Sequence, residues 1–304
     1  MSREAEYVTH RGVTLMKQFV KYQDKMDNMP VRDEDVWVTG IPKSGTRWAS
    51  ELVWMIVHDL DFEGAKEDLT IRVPFTELFR LLDNPNHEDL RFRDTIQYVV
   101  QKYDKGPATV KCHMPWVLLP KQMRDFEKRP KIIYVIRNPK GVITSSYHFE
   151  KLLHGYDFSL EEYANIFMDG KENYHPYWQH VLQFWEKRQE PNVFILRYEE
   201  MLKDPPGMIR RIVNFLGKKF TDQQITQLVD HVSFENMKKN KAVNHEDGIR
   251  ELRQRKGLPE AQHNHMRSGK ADGFKAEMSP ELIKKVDKWI EENTKNTDFK
   301  VMEP

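Results

Sequence analysis

The chain has 304 residues, of which 39% are hydrophobic and 31% charged, with a net charge of +1. This is enough apolar material for a substantial core, and the near-balanced charge excludes a global field favouring nucleic acid or acidic membrane surfaces. A lone cysteine, Cys112, excludes an intrachain disulfide and fits a reducing compartment.

The start, Met1-Ser-Arg-Glu-Ala-Glu-Tyr7, is charged and has no apolar core, so no signal peptide is expected. The longest apolar runs, such as Ile132 to Ile136, fall far short of the roughly 20 residues that span a bilayer. A cytoplasmic protein that binds neither nucleic acid nor membrane is the expectation.

In chain order, residues 13–22 carry a weak helical period and read as an N-terminal arm. Residues 35–39 form the first clear strand. A small-residue loop, Gly40-Ile-Pro-Lys-Ser-Gly45, follows. Then Trp48, Leu52, Met55 and Ile56 mark one stripe of a helix over 48–60. Residues 62–107, with Pro74, Pro85 and Pro107, read as loops and short helices over one end of a sheet. Further strands are expected at 108–111, 131–136 and 192–197. Helices are expected at 141–150, 160–168, 175–188, 206–216, 221–231 and 280–293. The last opens on Ser279-Pro280-Glu281, an N-cap with proline in the first helical position. Strands alternating with helices predict an α/β fold: a single domain over 1–304, with a central, mostly parallel sheet flanked by helices and a phosphate-binding loop after the first strand.

A chemically notable residue follows each strand: Lys43, His113, Arg137 and Tyr198. In open parallel sheets, ligands bind beyond the carboxyl ends of the strands. The loop Gly40-x-x-x-x-Gly45 resembles the start of a Walker A motif, but Thr46-Arg47 stands where Lys-Ser/Thr is required. No apolar strand ends in an aspartate suited to a magnesium ligand. What remains is a phosphate loop with an internal lysine, or a surface turn. Lys111 and His113 share one face of a strand, and a neighbouring cation favours the neutral imidazole that a general base needs. A structural histidine is the other reading. Arg137, just past a buried strand, with Ser145 eight residues on, suits a phosphate held by a guanidinium and a hydroxyl. An ordinary ion pair would explain Arg137 as well.

Taken together these segments resemble the cytosolic sulfotransferases, which use 3′-phosphoadenosine 5′-phosphosulfate (PAPS). Pro42-Lys-Ser-Gly-Thr46 with Trp48 is similar to that family's 5′-phosphosulfate loop. Tyr134-Val-Ile-Arg137-Asn138 through Ser145 is similar to its 3′-phosphate element. Lys111-Cys-His113-Met-Pro115 is similar to its catalytic histidine segment, and Arg197-Tyr198-Glu199 to the segment that follows. Phe234 to Asn240 and Arg267-Ser-Gly269 are similar to its late cofactor segments.

The resemblance implies that Lys43, Ser44, Gly45, Thr46 and Arg47 bind the 5′-phosphosulfate. Trp48 would stack on adenine, with Ser233 and Phe234 nearby and Tyr198 at the adenine end. Arg137, Ser145, Arg267, Ser268 and Gly269 would hold the 3′-phosphate. His113 would be the general base, supported by Lys111, and Lys43 would stabilise the leaving phosphate. Ser145 would restrain Lys43 until acceptor binds. The phosphate is already a good leaving group, so no metal is implied, and PAP is the product nucleotide.

Four features depart from the family pattern. Cys112 and Val232 stand where threonine is usual, and Ser268 where lysine is usual. The dimerisation segment near Lys275 carries Ser279-Pro280 and Lys284, which leaves monomer and homodimer both open. Pro74, Phe75, Trp116, Phe149 and His245 are candidates for the acceptor pocket, and the aromatic walls favour a flat apolar hydroxylated small molecule such as a phenol, steroid or retinoid-like alcohol. Residues 235–275 carry ten Lys/Arg against six Asp/Glu, which suits a basic flap over a polyanion. His263-Asn-His265 has no third ligand to complete a metal site. Two alternatives are a nucleotide or nucleoside kinase with a degenerate loop and a non-catalytic adenosine bisphosphate binder.

Overall fold

The computed structural model describes residues 7–78, 88–104, 106–261 and 263–304. Part of the loop reading of 62–107, including Pro85, and the N-terminal 1–6 lie outside them. The chain divides into two compact units. One comprises Met1–Ile41, Val73–Ile136 and Ile166–Ile195, the other Pro42–Arg72, Arg137–Asn165 and Leu196–Pro304.

The first unit opens with a hairpin of β1 (Tyr7–His10) and β2 (Val13–Met16). Its two-residue turn, Arg11-Gly12, has φ of 49° and 77°, the mirror-image turn geometry that suits hairpin twist. The helical reading of 13–22 is thus corrected: a strand comes first, then the short helix Lys17–Val20. Val13 and Leu15 are buried while Thr14 and Met16 are half-buried, a period of two. Thr14 also exchanges backbone hydrogen bonds with the 174–175 segment: its N–H donates to His175 O and its carbonyl accepts from Tyr174 N–H.

The main sheet has the order β4-β3-β5-β6, with β3 (Val36–Thr39), β4 (Thr109–Cys112), β5 (Lys131–Ile136) and β6 (Val193–Arg197). β3 pairs parallel with β4 on one side and β5 on the other. All four residues of β3 and five of six in β5 are buried, as expected for parallel strands covered on both faces. Thr39 is level with both Cys112 and Tyr134, so the residue after β4, His113, is level with Gly40. At the other end of β3, the buried Asp35 carboxylate accepts the N–H groups of Ala108 (2.7 Å) and Arg32 (2.9 Å). Burial raises its pKa, against the opposing pull of those hydrogen bonds. The α/β class and parallel sheet expected from the sequence are present.

The second unit is helical. The helix Thr46–Val57 stops short of the expected residue 60 because Asp59 and Leu60 adopt φ of 52° and 64°. The helix Pro139–His154 begins with proline in its first turn, its Asn138 cap accepting the Lys140 N–H at 3.0 Å, and ends at Gly155. The last helix, Pro280–Thr294, has the Ser279 cap read from the sequence. Glu51 lies in this unit with 0% exposure and accepts from Arg72 at 2.7 Å and from His231 at 2.7 Å. Arg72 in turn lies 4.4 Å from the Trp54 ring centre. Arg72→Ala removes the permanent cation from a buried carboxylate and should cost about 3–5 kcal/mol in urea unfolding. A loss below about 1 kcal/mol would show that Glu51 is stabilised by other means.

Candidate active site

In the first unit, the strand register delivers His113 to Gly40. The imidazole Nδ1–H donates to Gly40 O at 2.5 Å, which selects the tautomer whose Nε2 carries the lone pair. Two buried groups hold the His113 backbone. Its N–H donates to Glu77 Oε1 at 2.7 Å, and its carbonyl accepts from His180 Nε2 at 2.9 Å. His180 Nδ1 accepts the Tyr134 hydroxyl at 2.7 Å, so that ring is also neutral and of fixed tautomer. Burial pushes the His180 pKa down to about 4. Cys112 is fully buried, its thiol pushed up by burial and by Glu77; its sulfur faces Glu77 and accepts from Met114 N–H. Cys112 therefore packs as a small core residue.

Residues 74–76 run alongside β4: Lys111 N–H donates to Pro74 O and Thr76 N–H to Lys111 O. That places the Phe75 ring edge-on to His113, 5.0 Å between centres, with the Lys111 ammonium 4.3 Å from its centre. Phe75, named from the sequence for the acceptor pocket, thus lies in one cluster with the Lys111 and His113 pair. Trp116 is 7% exposed and packs on Phe184 and Phe126.

In the second unit, Lys43 has φ of +70° and Gly45 of +110°. A left-handed lysine costs about 1–2 kcal/mol, a strain that gathers at ligand sites. Gly45 caps the Thr46–Val57 helix, whose first turn has no acidic residue to neutralise its positive end. Among the described residues, the buried Ser44 side-chain oxygen has no hydrogen-bond partner. A Cβ on Gly45 would lie 2.8 Å from Tyr198 Cδ2. A backbone pressed this closely on a ring, beside a buried hydroxyl without a partner and an open helix start, fits a bound phosphate or sulfate group.

The Tyr198 ring also carries Trp48 edge-on at 5.7 Å and the Arg137 guanidinium at 4.4 Å. Arg137 Nη1 donates to Lys43 O at 3.2 Å. Ser145 is half-buried on the helix Pro139–His154. Gly269 lies so close to Phe234 that a Cβ there would meet its ring at 2.4 Å, joining the two late segments. Ser268 lies beside Gly273, where an added Cβ would sit 3.5 Å from its hydroxyl oxygen. Val232 is buried at the end of the helix Asp222–His231.

Some side chains have other engagements. Arg47 is half-buried, its pKa lowered to about 10 by desolvation, and donates to the carbonyls of Val243 (3.3 Å) and Asn244 (2.9 Å). The Ser233 hydroxyl caps the helix Phe234–Lys239. Arg267 pairs with Glu277 at 2.7 Å, and Glu277 also bonds to His148. His245 has φ of 56° and precedes the helix Glu246–Arg255. Lys43 Nζ lies 4.3 Å from the Phe149 ring centre and 3.4 Å from His265 Nε2. Glu77, His180 and Glu277 were not singled out from the sequence, and His265 was weighed there only as a metal ligand. The one available signal was Glu77 lying between Phe75 and Leu78, a carboxylate in an apolar run. Among the described residues no group of three or more His, Cys, Asp or Glu side chains could hold a metal ion.

Comparison with known proteins gives the family of this chain. The sulfotransferase domain profile matches residues 33–298. The chain belongs to the sulfotransferase family, enzymes that transfer a sulfuryl group to a hydroxyl. It is 38% identical over 291 residues to luciferin sulfotransferase of Photinus pyralis, covering 94% of this chain and 78% of that one. Sulfotransferase 1E1 of Homo sapiens is 32% identical over 294 residues, covering 95% and 93%. The crystal structure of retinol dehydratase with androsterone and the inactive cofactor PAP superposes with a TM-score of 0.86 at 33% identity, over 97% of this chain and 91% of that one.

His180 supplies a pH prediction. Its folded pKa of about 4 lies below the ordinary 6.5, so between these values the unfolded chain takes up a proton that the fold refuses. Stability therefore falls as pH drops through that window. In urea unfolding, His180→Gln should flatten that decline by up to about 3 kcal/mol relative to wild type. Parallel pH profiles for the two proteins would contradict the assignment.

Proposed function

We propose that the enzyme transfers the sulfuryl group of PAPS to the hydroxyl of a small, flat, apolar acceptor in the cytoplasm, leaving PAP. PAPS supplies the sulfuryl group and a phosphate leaving group. The backbone N–H groups at the start of the Thr46–Val57 helix and the Ser44 hydroxyl would hold the 5′ end of the nucleotide. Arg137, with Arg267 once it exchanges Glu277 for phosphate, would hold the 3′-phosphate. Trp48 and Phe234 would flank the base. Arg47 contributes its backbone only, since its guanidinium is committed to the carbonyls of Val243 and Asn244.

His113 takes the acceptor proton. Its Nδ1–H is fixed on Gly40 O, which presents Nε2 as the base. Lys43 neutralises charge developing on the leaving oxygen, and Lys111 supports His113 through Phe75. Phe75 beside His113 and Phe149 beside Lys43 supply apolar faces for the acceptor. The complexes of retinol dehydratase with androsterone and with retinol support an acceptor of this kind.

The observation that carries this reading is the Ser44 hydroxyl, buried without a partner in a loop pressed against Tyr198. The test is incubation with PAPS and a simple phenol, with and without EDTA, measuring aryl sulfate. His113→Ala should lower kcat by about 10²-fold or more while PAP affinity holds. Retained turnover in that variant removes His113 from its role. Turnover with ATP and magnesium instead of PAPS would favour a kinase.

A further inference from the structure

Ser145 and His148, three residues apart on the helix Pro139–His154, share one face. That face meets the carboxylate of Glu277. Its Oε2 accepts the Nε2–H of His148, and its Oε1 lies 2.7 Å from Arg267 Nη1. A carboxylate only accepts, so His148 carries a proton on Nε2. The His263 ring stands edge-on to His148, with 5.2 Å between centres. The backbone holds this carboxylate in place. Glu277 follows the short turn Gly273–Ala276, its N–H donates to Phe274 O at 3.1 Å, and the Phe274 side chain is buried. Arg137 is tied to the same late stretch of chain, its Nη2 donating to Lys270 O at 3.3 Å. Glu277 therefore reaches the helix face of Ser145 and the guanidinium of Arg267 together, two of the groups assigned above to the 3′-phosphate.

We propose that Glu277 is a specificity-determining residue that competes with the 3′-phosphate for Arg267, weakening every nucleotide that carries that phosphate and so speeding release of the product PAP. The proposal rests on the role given above to Arg267. A phosphate seated on Arg267 with Glu277 still in place would set two anions side by side, which costs free energy. Binding therefore requires the carboxylate to turn from Arg267, and His148 keeps a hold on it through Oε2. The side chains of the pair are 30% and 24% exposed, so the bond is partly screened and exchangeable. A phosphate monoester, with more charge and three acceptor oxygens, wins that exchange. As PAP departs, the carboxylate returns to the guanidinium. A nucleotide without a 3′-phosphate leaves the pair intact and is indifferent to it.

Isothermal titration of PAP and of adenosine 5′-phosphate into wild type and Glu277→Gln tests the competition. Glu277→Gln should bind PAP at least about fivefold tighter, with adenosine 5′-phosphate unchanged. Unchanged or weaker PAP binding overturns the proposal. So does an equal gain for both nucleotides, the signature of a general charge effect. Arg267→Met tests the role beneath it. That variant should bind PAP more weakly, and adding Glu277→Gln to it should bring no further gain, because the contested cation is gone. A gain in the double variant as large as in Glu277→Gln alone means that Glu277 acts without Arg267; this overturns the competition and leaves the Arg267 role standing. PAP affinity indifferent to Arg267→Met removes that role and the proposal with it. Stopped-flow displacement should show PAP leaving Glu277→Gln more slowly by a factor similar to the gain in affinity. Dissociation at the wild-type rate overturns the claim on product release.

Discussion

The ring of Tyr198 is the fixed point of the second unit. Gly45 passes so close that any side chain there would strike it, Trp48 meets it edge-on, and the Arg137 guanidinium lies over it. Arg137 then reaches the Lys43 carbonyl, closing a circuit from ring to arginine to loop and back to ring. This circuit explains how a lysine can be held in a left-handed conformation. The strain is local and modest, while the contacts that impose it are several and at least half-buried. Burial raises the Tyr198 pKa, the nearby Arg137 opposing, so the phenol keeps its proton and the ring remains neutral for packing.

In the first unit the governing constraint is register. β3 lies between two parallel partners, and its last residue is level with the last residue of β4. The residue that follows β4 therefore meets the residue that follows β3, and His113 finds Gly40 O. The tautomer of the histidine is a consequence of strand alignment. Glu77, His180 and Tyr134 reinforce it from behind, each buried and hydrogen-bonded, so that the backbone of His113 is held on both its donor and its acceptor.

Local pattern made much of this legible. The strand Lys131–Ile136 and the helix Leu160–Met168 stand where apolar runs and periodicity put them. The four strand-end residues emerged from the rule that parallel sheets bind ligands beyond their carboxyl ends. The hairpin at the start was misread because four-residue strands are too short to show their period, and its Arg11-Gly12 turn is a weak signal. Side-chain assignments were less legible still. Arg47 reads as a phosphate ligand by position, yet it binds carbonyls about 200 residues away in sequence. Arg267 is similarly engaged by Glu277, and Lys43 by His265, a residue 222 positions on. These partners are chosen by tertiary packing, which no spacing in the sequence encodes.

The central claim is that the loop from Gly40 to Trp48 holds the 5′ end of an adenosine 3′,5′-bisphosphate nucleotide because its backbone is pressed on Tyr198. Isothermal titration of PAP into wild type and Gly45→Ala tests it, with circular dichroism confirming that both are folded. The account predicts clear binding to wild type and at least about tenfold weaker binding to the variant, since an added methyl must displace the ring or the loop. Equal affinities, or no binding of PAP to the wild-type protein, would contradict it.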